Sequence, residues 1–277
     1  LQNLSSTKLF IAVDQEGGRV NRFRKEFGFK LTSSAAELGR SSDTELTRQS
    51  AKQTAEMLKS CGINFNLAPV VDLNRNINNP IVGKVERSFS SNSSKVYQHA
   101  STWIAEHRKV GIGSCIKHFP GHGSSKDDSH LGFVEITDSW HETELEPYAS
   151  LIDADQAEAI MVGHLYNRTL DSEFPATLSQ PTITGLLRKT INYQGVVITD
   201  DMQMKAITDR YGLAEACIRA ISAGVDLIII GNNLNYDPEI FSTLHNEVAR
   251  AAENGILKEK SIRDAYTRIQ RLKTNIA

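Results

Sequence analysis

The chain has 277 residues, 40% of them hydrophobic and 23% charged, enough material to bury a large core. A formal net charge of −2 offers no basic surface for nucleic acid, and no run of about eighteen apolar residues is present to span a bilayer. The three cysteines, Cys61, Cys115 and Cys217, are far apart and form no CxxC pair, which argues against a disulfide framework or a structural zinc site.

The chain opens as LQNLSSTKLFIAVD, almost inside a core strand, so sequence upstream of Leu1 is expected, and the lack of a visible leader says little about location. The first apolar run, 9–13, ends in Asp14-Gln15-Glu16-Gly17-Gly18-Arg19. A helix follows, opened by the capping-box spacing Ser42-x-x-Glu45 and running to Ser60. The run 63–68 leads to Pro69 and Asp72; Cys61 before it and Cys115 in a later run stand in apolar contexts and are expected to pack as small hydrophobes. A helix over 95–110 stops at Gly111, and the run 112–116 delivers Lys117 and His118. Next come a helix over 142–154, the run 159–162 with His164 after it, a helix over 182–190, and the run 196–198 with Asp200 and Asp201. A helix over 213–223 precedes the run 226–230, which leads to Asn232 and Asn233. Helices over 239–253 and 261–273 follow, the last with Ser261-x-x-Asp264 at its start.

The six apolar runs are continuous rather than alternating, as in strands buried on both faces of a parallel sheet. Strand–helix alternation leaves two architectures, an open doubly wound sheet and a closed barrel. Nearly every run ends in polar groups. An open sheet needs these only beside its switch point, whereas all strand ends of a (β/α)₈ barrel converge on one mouth. The expected fold is therefore an α/β, TIM-type barrel. Six runs where eight are needed imply that the first two strand–helix units precede Leu1, since a six-stranded remnant would leave two long edges. No linker, repeat or low-complexity segment interrupts residues 1–277, which read as one N-terminally incomplete barrel domain.

The densest chemistry lies at KHFPGHGSSKDDSH, Lys117 to His130, where three histidines surround a Pro120-Gly121 turn directly after a core strand. The spacing H-x₃-H-x₅-D-x-H of His118, His122, Asp128 and His130 matches none of the usual zinc patterns. Asp128 and His130, two apart on an extended stretch, face the same way, so the carboxylate accepts from the ring and fixes its tautomer for acid/base work. Asp200 in GVVITDD fits a helix N-cap as well as a nucleophile or base; Met202 and Met204 read as packing groups. Asp14 carries the same ambiguity, with Gly17-Gly18 as a tight turn, Glu16 paired with Arg19, and Arg22, Arg24 and Lys25 as a solvated face. The Gly-Gly pair is neither GxGxxG nor a P-loop, which disfavours nucleotide binding. His164 reads as a satisfied core histidine pointing towards the mouth, and Glu86-Arg87 as a surface pair.

These residues carry a pattern. KHFPGHG, four residues, then DSH resembles the signature of bacterial β-N-acetylglucosaminidases of glycoside hydrolase family three. AVDQEGGRVNRFR, NFNLAPVVDLN, ERSFS, AIMVGH and GVVITDDMQM extend the likeness, in the family's order, from about Lys8 to the last helix. The resemblance implies a (β/α)₈ barrel. It implies Asp200 as the nucleophile that forms a covalent glycosyl-enzyme, His130 as the general acid/base and Asp128 as its orienting partner. Lys117, His118, Asp14 and Arg87 match sugar-binding positions. Asp127 beside Asp128 raises a question of register, settled by the D-x-H spacing.

An imidazole in place of the usual acid/base carboxyl departs from the two-carboxylate scheme. The loop must move or settle to bring His130 to the glycosidic oxygen, with Gly121 and Gly123 supplying freedom. The implied activity is retaining exo-hydrolysis of terminal β-linked GlcNAc from peptidoglycan fragments or chito-oligosaccharides. It requires no metal or organic cofactor, no nucleic acid and no membrane span. The single-domain form resembles muropeptide-recycling enzymes, for which the cytoplasm is expected, with a secreted or periplasmic relative as the alternative. The rivals are a phosphorylase, in which phosphate replaces water at the intermediate, a metal-dependent hydrolase built on the histidine loop, and a sugar-binding barrel with a dead site.

Overall fold

The computed structural model describes residues 1–233 and 236–276. Six parallel strands form one sheet: β1 (Ala12–Val13), β2 (Phe65–Asn66), β3 (Gly113–Phe119), β5 (Ala159–Val162), β7 (Val196–Asp201) and β8 (Leu227–Ile229). β4 (Val134–Glu135) and β6 (Leu165–Tyr166) pair separately as a two-stranded parallel ribbon. The main sheet runs β1-β2-β3-β5-β7-β8, so every strand lies beside its predecessor and no order reversal occurs. That is the winding of a barrel and not of a doubly wound sheet, and the sheet is an open barrel flanked by helices.

All six apolar runs coincide with these strands, and their continuity has the expected cause. On β3, β5 and β7, Ile116, Ile160, Val162 and Val197 face one cluster with Trp103, Ile104, Leu151, Ile183 and Leu187. The alternate residues Cys115, Ala159, Met161, Val196 and Ile198 face a second cluster with Phe65 and Leu272.

The helices are α1 (Ala35–Gly39), α2 (Glu45–Ser60), α3 (Ser93–Lys109), α4 (Glu146–Asp153), α5 (Lys205–Thr208), α6 (Leu213–Ala223), α7 (Ile240–Glu253) and α8 (Glu259–Asn275). A π-helix at Pro181–Thr190 stands where a regular helix is expected. The helix starts differ from those expected at α2 and α8. Thr44, not Ser42, is the N-cap of α2, and the Asp43 carboxylate takes the Glu45 N–H at 2.9 Å. The capping box that does form is Ser34 with Glu37 on α1, while Ser261 lies inside α8. Gly111 ends α3 as expected, with φ +76°. Cys115 is buried, but Cys61 is exposed at the end of α2, because the helix turns it away from the core.

α8 is held to the sheet by charge. Asp226, whose side chain is wholly buried, takes Arg188 at 2.6 Å, Arg268 at 2.7 Å and the Val197 N–H at 2.8 Å, tying the π-helix, α8 and β7 to the start of β8. No helix among the described residues is long and apolar enough to cross a membrane.

Candidate active site

The carboxyl ends of the strands bring the polar residues together, and the first cluster is a buried ion network. Lys117, near the end of β3, is 1% exposed. Its ammonium donates to Asp14 Oδ1 at 2.6 Å and lies 2.7 Å from Glu16 Oε1. Arg87 grips the same Glu16 through Nε and Nη2, each at 2.8 Å, and gives Nη1 to the Ile81 carbonyl. Burial alone would raise the Glu16 carboxyl, but Arg87 and Lys117 outweigh it and hold the group well below the usual carboxylate range. Burial works equally against the charge on Lys117, and Asp14 and Glu16 overcome it and raise its pKa.

Glu16 does not pair with Arg19, and Arg87 is not a surface residue: its side chain is 11% exposed and Glu86 faces away from it. The paired glycines do make a tight turn, with φ +96° at Gly17 and +56° at Gly18, and Arg22, Arg24 and Lys25 are exposed as expected. Asp14 stays one-third exposed, its second oxygen turned towards solvent and Arg22, 4.0 Å away. Anchored by one oxygen and open at the other, it is placed to accept from a hydroxyl.

The second cluster is centred on Asp72, in the segment after β2. Its Oδ2 takes the His118 Nδ1–H at 2.7 Å, and its Oδ1 takes the backbone N–H of His118 at 3.2 Å and of His122 at 2.8 Å. His118 Nε2 is thereby the acceptor nitrogen, 3.3 Å from Arg87 Nη2. Burial would raise Asp72, yet the imidazole of His118 and its hydrogen bond hold it down. The Lys117–His118 and Phe119–Pro120 peptide bonds are both cis.

The motif loop turns over this floor. His122 is 1% exposed, its Nδ1 2.8 Å from Ser125 Oγ, and burial lowers its pKa to about 4, so the ring is neutral near pH 7. Asp128 and His130 meet as expected. The His130 ring Nδ1 and backbone N–H both reach Asp128 Oδ1 at 2.8 Å. The geometry is a turn closed by the Leu131 N–H on the Asp128 carbonyl, not an extended stretch. Nδ1 is engaged, which leaves Nε2 without a protein hydrogen bond among the described residues, on a side chain that is 60% exposed.

Gly121 and Gly123 serve close packing. A Cβ on Gly123 would lie 1.7 Å from the Leu73 carbonyl oxygen, and one on Gly121 would lie 2.6 Å from Glu144 Cβ. The three loop histidines each have a different protein partner, and no group of three His, Cys, Asp or Glu side chains converges as a metal set among the described residues.

Asp200 stands at the end of β7. It is not a helix cap: α5 begins at Lys205 with Met204 before it, and the Asp200 carboxylate instead takes the Asp201 N–H at 2.8 Å. Burial would raise its pKa, but His164, His118, the Asp201 N–H and Lys117 together hold it below the ordinary aspartate value. The group is an ionised carboxylate, part-exposed at the end of the strand. His164 is buried, its Nε2–H donating to the Asp201 carbonyl at 2.9 Å and Nδ1 lying 2.8 Å from Thr177 Oγ1. Burial lowers its pKa, so it is a satisfied neutral histidine that also borders the site. Met202 and Met204 pack in the core.

The loop reaches the same segment. The buried Ser129, between Asp128 and His130, accepts the Ala206 N–H of α5 at 3.4 Å. Asp14, Arg87, Lys117, His118, Asp128, His130 and Asp200 thus gather around one mouth. Sequence reading gave Asp72, Glu16 and Glu144 no role there. Asp72 was visible only as a strand-end carboxylate, and Glu16 and Glu144 left no local signal, because their partners are remote in the chain.

The arrangement has relatives. Residues 1–272 match the model of the glycosyl hydrolase family 3 N terminal domain. The chain is 34% identical over 294 residues to "Beta-hexosaminidase A" of Pseudoalteromonas piscicida, covering 99% of this chain and 49% of that protein. It is 35% identical over 257 residues to "Beta-hexosaminidase" of Tolumonas auensis, covering 92% of this chain and 75% of that one. Among solved structures, a family 3 β-N-acetylglucosaminidase from Paenibacillus sp. str. FPU-7 superposes with a TM-score of 0.89 at 32% identity, covering 96% of this chain and 50% of that one. Mycobacterium tuberculosis LpqI superposes with a TM-score of 0.85 at 31% identity, covering 97% and 78%. The chain spans about half the length of the Pseudoalteromonas and Paenibacillus proteins. With a family model matched over residues 1–272 and a barrel-wound sheet whose strand ends carry the site, the chain belongs to glycosyl hydrolase family 3.

Proposed function

We propose that this chain is the catalytic domain of a retaining exo-β-N-acetylglucosaminidase, releasing terminal β-linked GlcNAc from peptidoglycan fragments or chito-oligosaccharides. The observation that carries the reading is a part-exposed Asp200, held ionised at the end of β7, together with a hydrogen-bonded Asp128–His130 pair on the loop that touches α5 after that strand. The names of the relatives support the sugar.

In the first step an Asp200 oxygen attacks the anomeric carbon as the glycosidic C–O bond breaks, and protonated His130 gives its Nε2 proton to the leaving oxygen. In the second, neutral His130 takes a proton from water, whose oxygen attacks the same carbon and frees Asp200. Two inversions give retention. Asp128 keeps the ring oriented in both charge states. Asp14 accepts from sugar hydroxyls, and Lys117, Arg87 and His118 form the polar wall around it. Each step uses groups of this chain, the substrate and water. The recycling reading puts the reaction in the cytoplasm.

The test is release of 4-nitrophenol from 4-nitrophenyl β-N-acetylglucosaminide. His130→Ala should lose about 10²–10⁴-fold in kcat/KM, and Asp200→Ala should lose nearly all activity. A folded, inactive wild type would sink the reading. A second reading follows from the exposed imidazole, which carries no negative charge once it has given up its proton. Phosphate then approaches the intermediate in place of water, and formation of a sugar 1-phosphate identifies that outcome.

A further inference from the structure

Beneath the motif loop lies a carboxyl that the proposed reaction does not use. Glu144 sits on the 3₁₀ turn Glu142–Leu145 that leads into α4. Its neighbours Glu142 and Glu146 are exposed, but Glu144 is 1% exposed. Its Oε2 accepts the Gly123 N–H at 3.1 Å. The backbone of Gly121 lies directly on it, since a Cβ there would come 2.8 Å from Oε2. Its Oε1 is buried with no hydrogen bond of normal geometry, the Ser124 hydroxyl being the polar group beside the carboxyl, and no lysine or arginine pairs with it among the described residues. An isolated buried carboxylate is costly, and a neutral acid fits such a place far better.

The contacts continue from Gly123 to the reacting pair. The His122 N–H is fixed on Asp72 at 2.8 Å, and the His122 ring Nε2 lies 3.4 Å from the hydroxyl of Ser129. Ser129 is the residue between Asp128 and His130. A displacement at Gly123 therefore passes through buried groups to His130, which is itself exposed and whose hydrogen bonds among the described residues run to Asp128.

We propose that Glu144 is a positioning residue for the Asp128–His130 pair, its carboxyl carrying the loop from below and fixing where His130 stands over the mouth. This rests on the reading of that pair as the acid/base.

The brace is tied to protonation. Burial pushes the Glu144 carboxyl up to about 7, against the Ser124 hydroxyl, and Asp72 adds to the rise. The groups that face it are Asp72 from the segment after β2, to which His118 of β3 and His122 of the loop are themselves bonded, Ser124 from the loop, and Tyr148 from α4. Arg75 is turned to the Thr143 hydroxyl on the outer side. Ionised Glu144 thus adds a second buried negative charge near Asp72 with no cation to balance it, and the loop loosens.

The experiment compares the wild-type chain with Glu144→Gln and Glu144→Leu. Gln keeps an acceptor for the Gly123 N–H and cannot ionise; Leu keeps the bulk and loses the acceptor. kcat and KM for 4-nitrophenyl β-N-acetylglucosaminide are measured from pH 5 to 9, with amide hydrogen exchange of residues 121–131 at pH 6 and 8. Leu should lower kcat about 10–100-fold, as misplacement of a catalytic group does, with KM within about threefold and faster exchange in the loop. Gln should restore kcat to within about threefold of wild type at pH 6, and its alkaline limb should lie above the wild-type limb. Leu equal to wild type in kcat and loop exchange would overturn the proposal, as would a Gln limb coincident with wild type. An inactive wild type would instead bring down the functional reading, and the exchange data would still decide whether Glu144 braces the loop.

Discussion

Arg87 clasps Glu16 through two parallel hydrogen bonds of 2.8 Å, with only 11% of one side chain and 6% of the other exposed. The clasp joins the turn after β1 to the loop before α3, and Lys117 of β3 completes it from the other side. Bidentate pairing is the geometry in which a guanidinium repays its burial. Removing the carboxylate leaves two buried cations facing each other. Glu16→Leu should therefore cost about 3–5 kcal/mol of stability, read as a lower denaturant midpoint. The folded pKa of Glu16 is depressed, so its stabilisation is full above the unfolded value of about 4.5 and is lost as pH falls below it. The gap between wild type and Glu16→Leu should accordingly narrow in acid. A constant gap from pH 7 to 3 would refute the assignment.

Asp72 is the hub of the loop floor, and Asn is its sharpest test. An Asn side chain has the same shape but only one acceptor where Asp72 serves the His118 ring and two backbone N–H groups. The His118 tautomer then loses its fixed partner. Asp72→Asn should lower kcat/KM about 10–100-fold, the range found when a group orienting a site histidine is removed. Wild-type kinetics in the Asn variant would show that the His118 tautomer does not matter.

The strands were legible and the site was legible only in part, for physical reasons. A strand buried on both faces writes an unbroken apolar run, so all six core strands announced themselves, and polar residues at each carboxyl end pointed to a barrel mouth. Local contacts such as Asp128 with His130 were also within reach of spacing, though the backbone there is a turn. Contacts between remote segments left no trace: Glu16 and Arg87 are 71 residues apart, so each looked like half of a nearby pair. Helix caps failed for a local reason. At α2 the Asp43 carboxylate competes for the N–H that Ser42 was expected to organise.

Gly123 offers a test of packing rather than flexibility. Its φ is not in the left-handed region, so alanine is tolerated by the backbone, but a Cβ would sit 1.7 Å from the Leu73 carbonyl oxygen. Neither partner is a side chain that can swing aside. Gly123→Ala should lower stability by about 1–3 kcal/mol and reduce kcat by pushing the loop off Glu144. If Gly123 served only to let the loop flex, the variant would keep its melting temperature while kcat fell.

Glu144 makes an opposite pH signature to Glu16. Its folded pKa of about 7 lies above the ordinary 4.5, because burial disfavours the charged form. Its contribution to stability is full below about pH 4.5 and is lost as pH rises through about 7. A rise of this size corresponds to a few kcal/mol, on the order of 3 at most. Glu144→Gln removes the titration while keeping the acceptor for Gly123. Relative to wild type, the Gln variant should gain stability from pH 4.5 to about 7 and level off above it, by several degrees in melting temperature, since about 1 kcal/mol moves a chain of this size by roughly 2–4 °C. Wild type and Gln curves that run parallel across that window would mean that Glu144 is already ionised in the folded protein at low pH, and that some cation or solvent reaches its free oxygen.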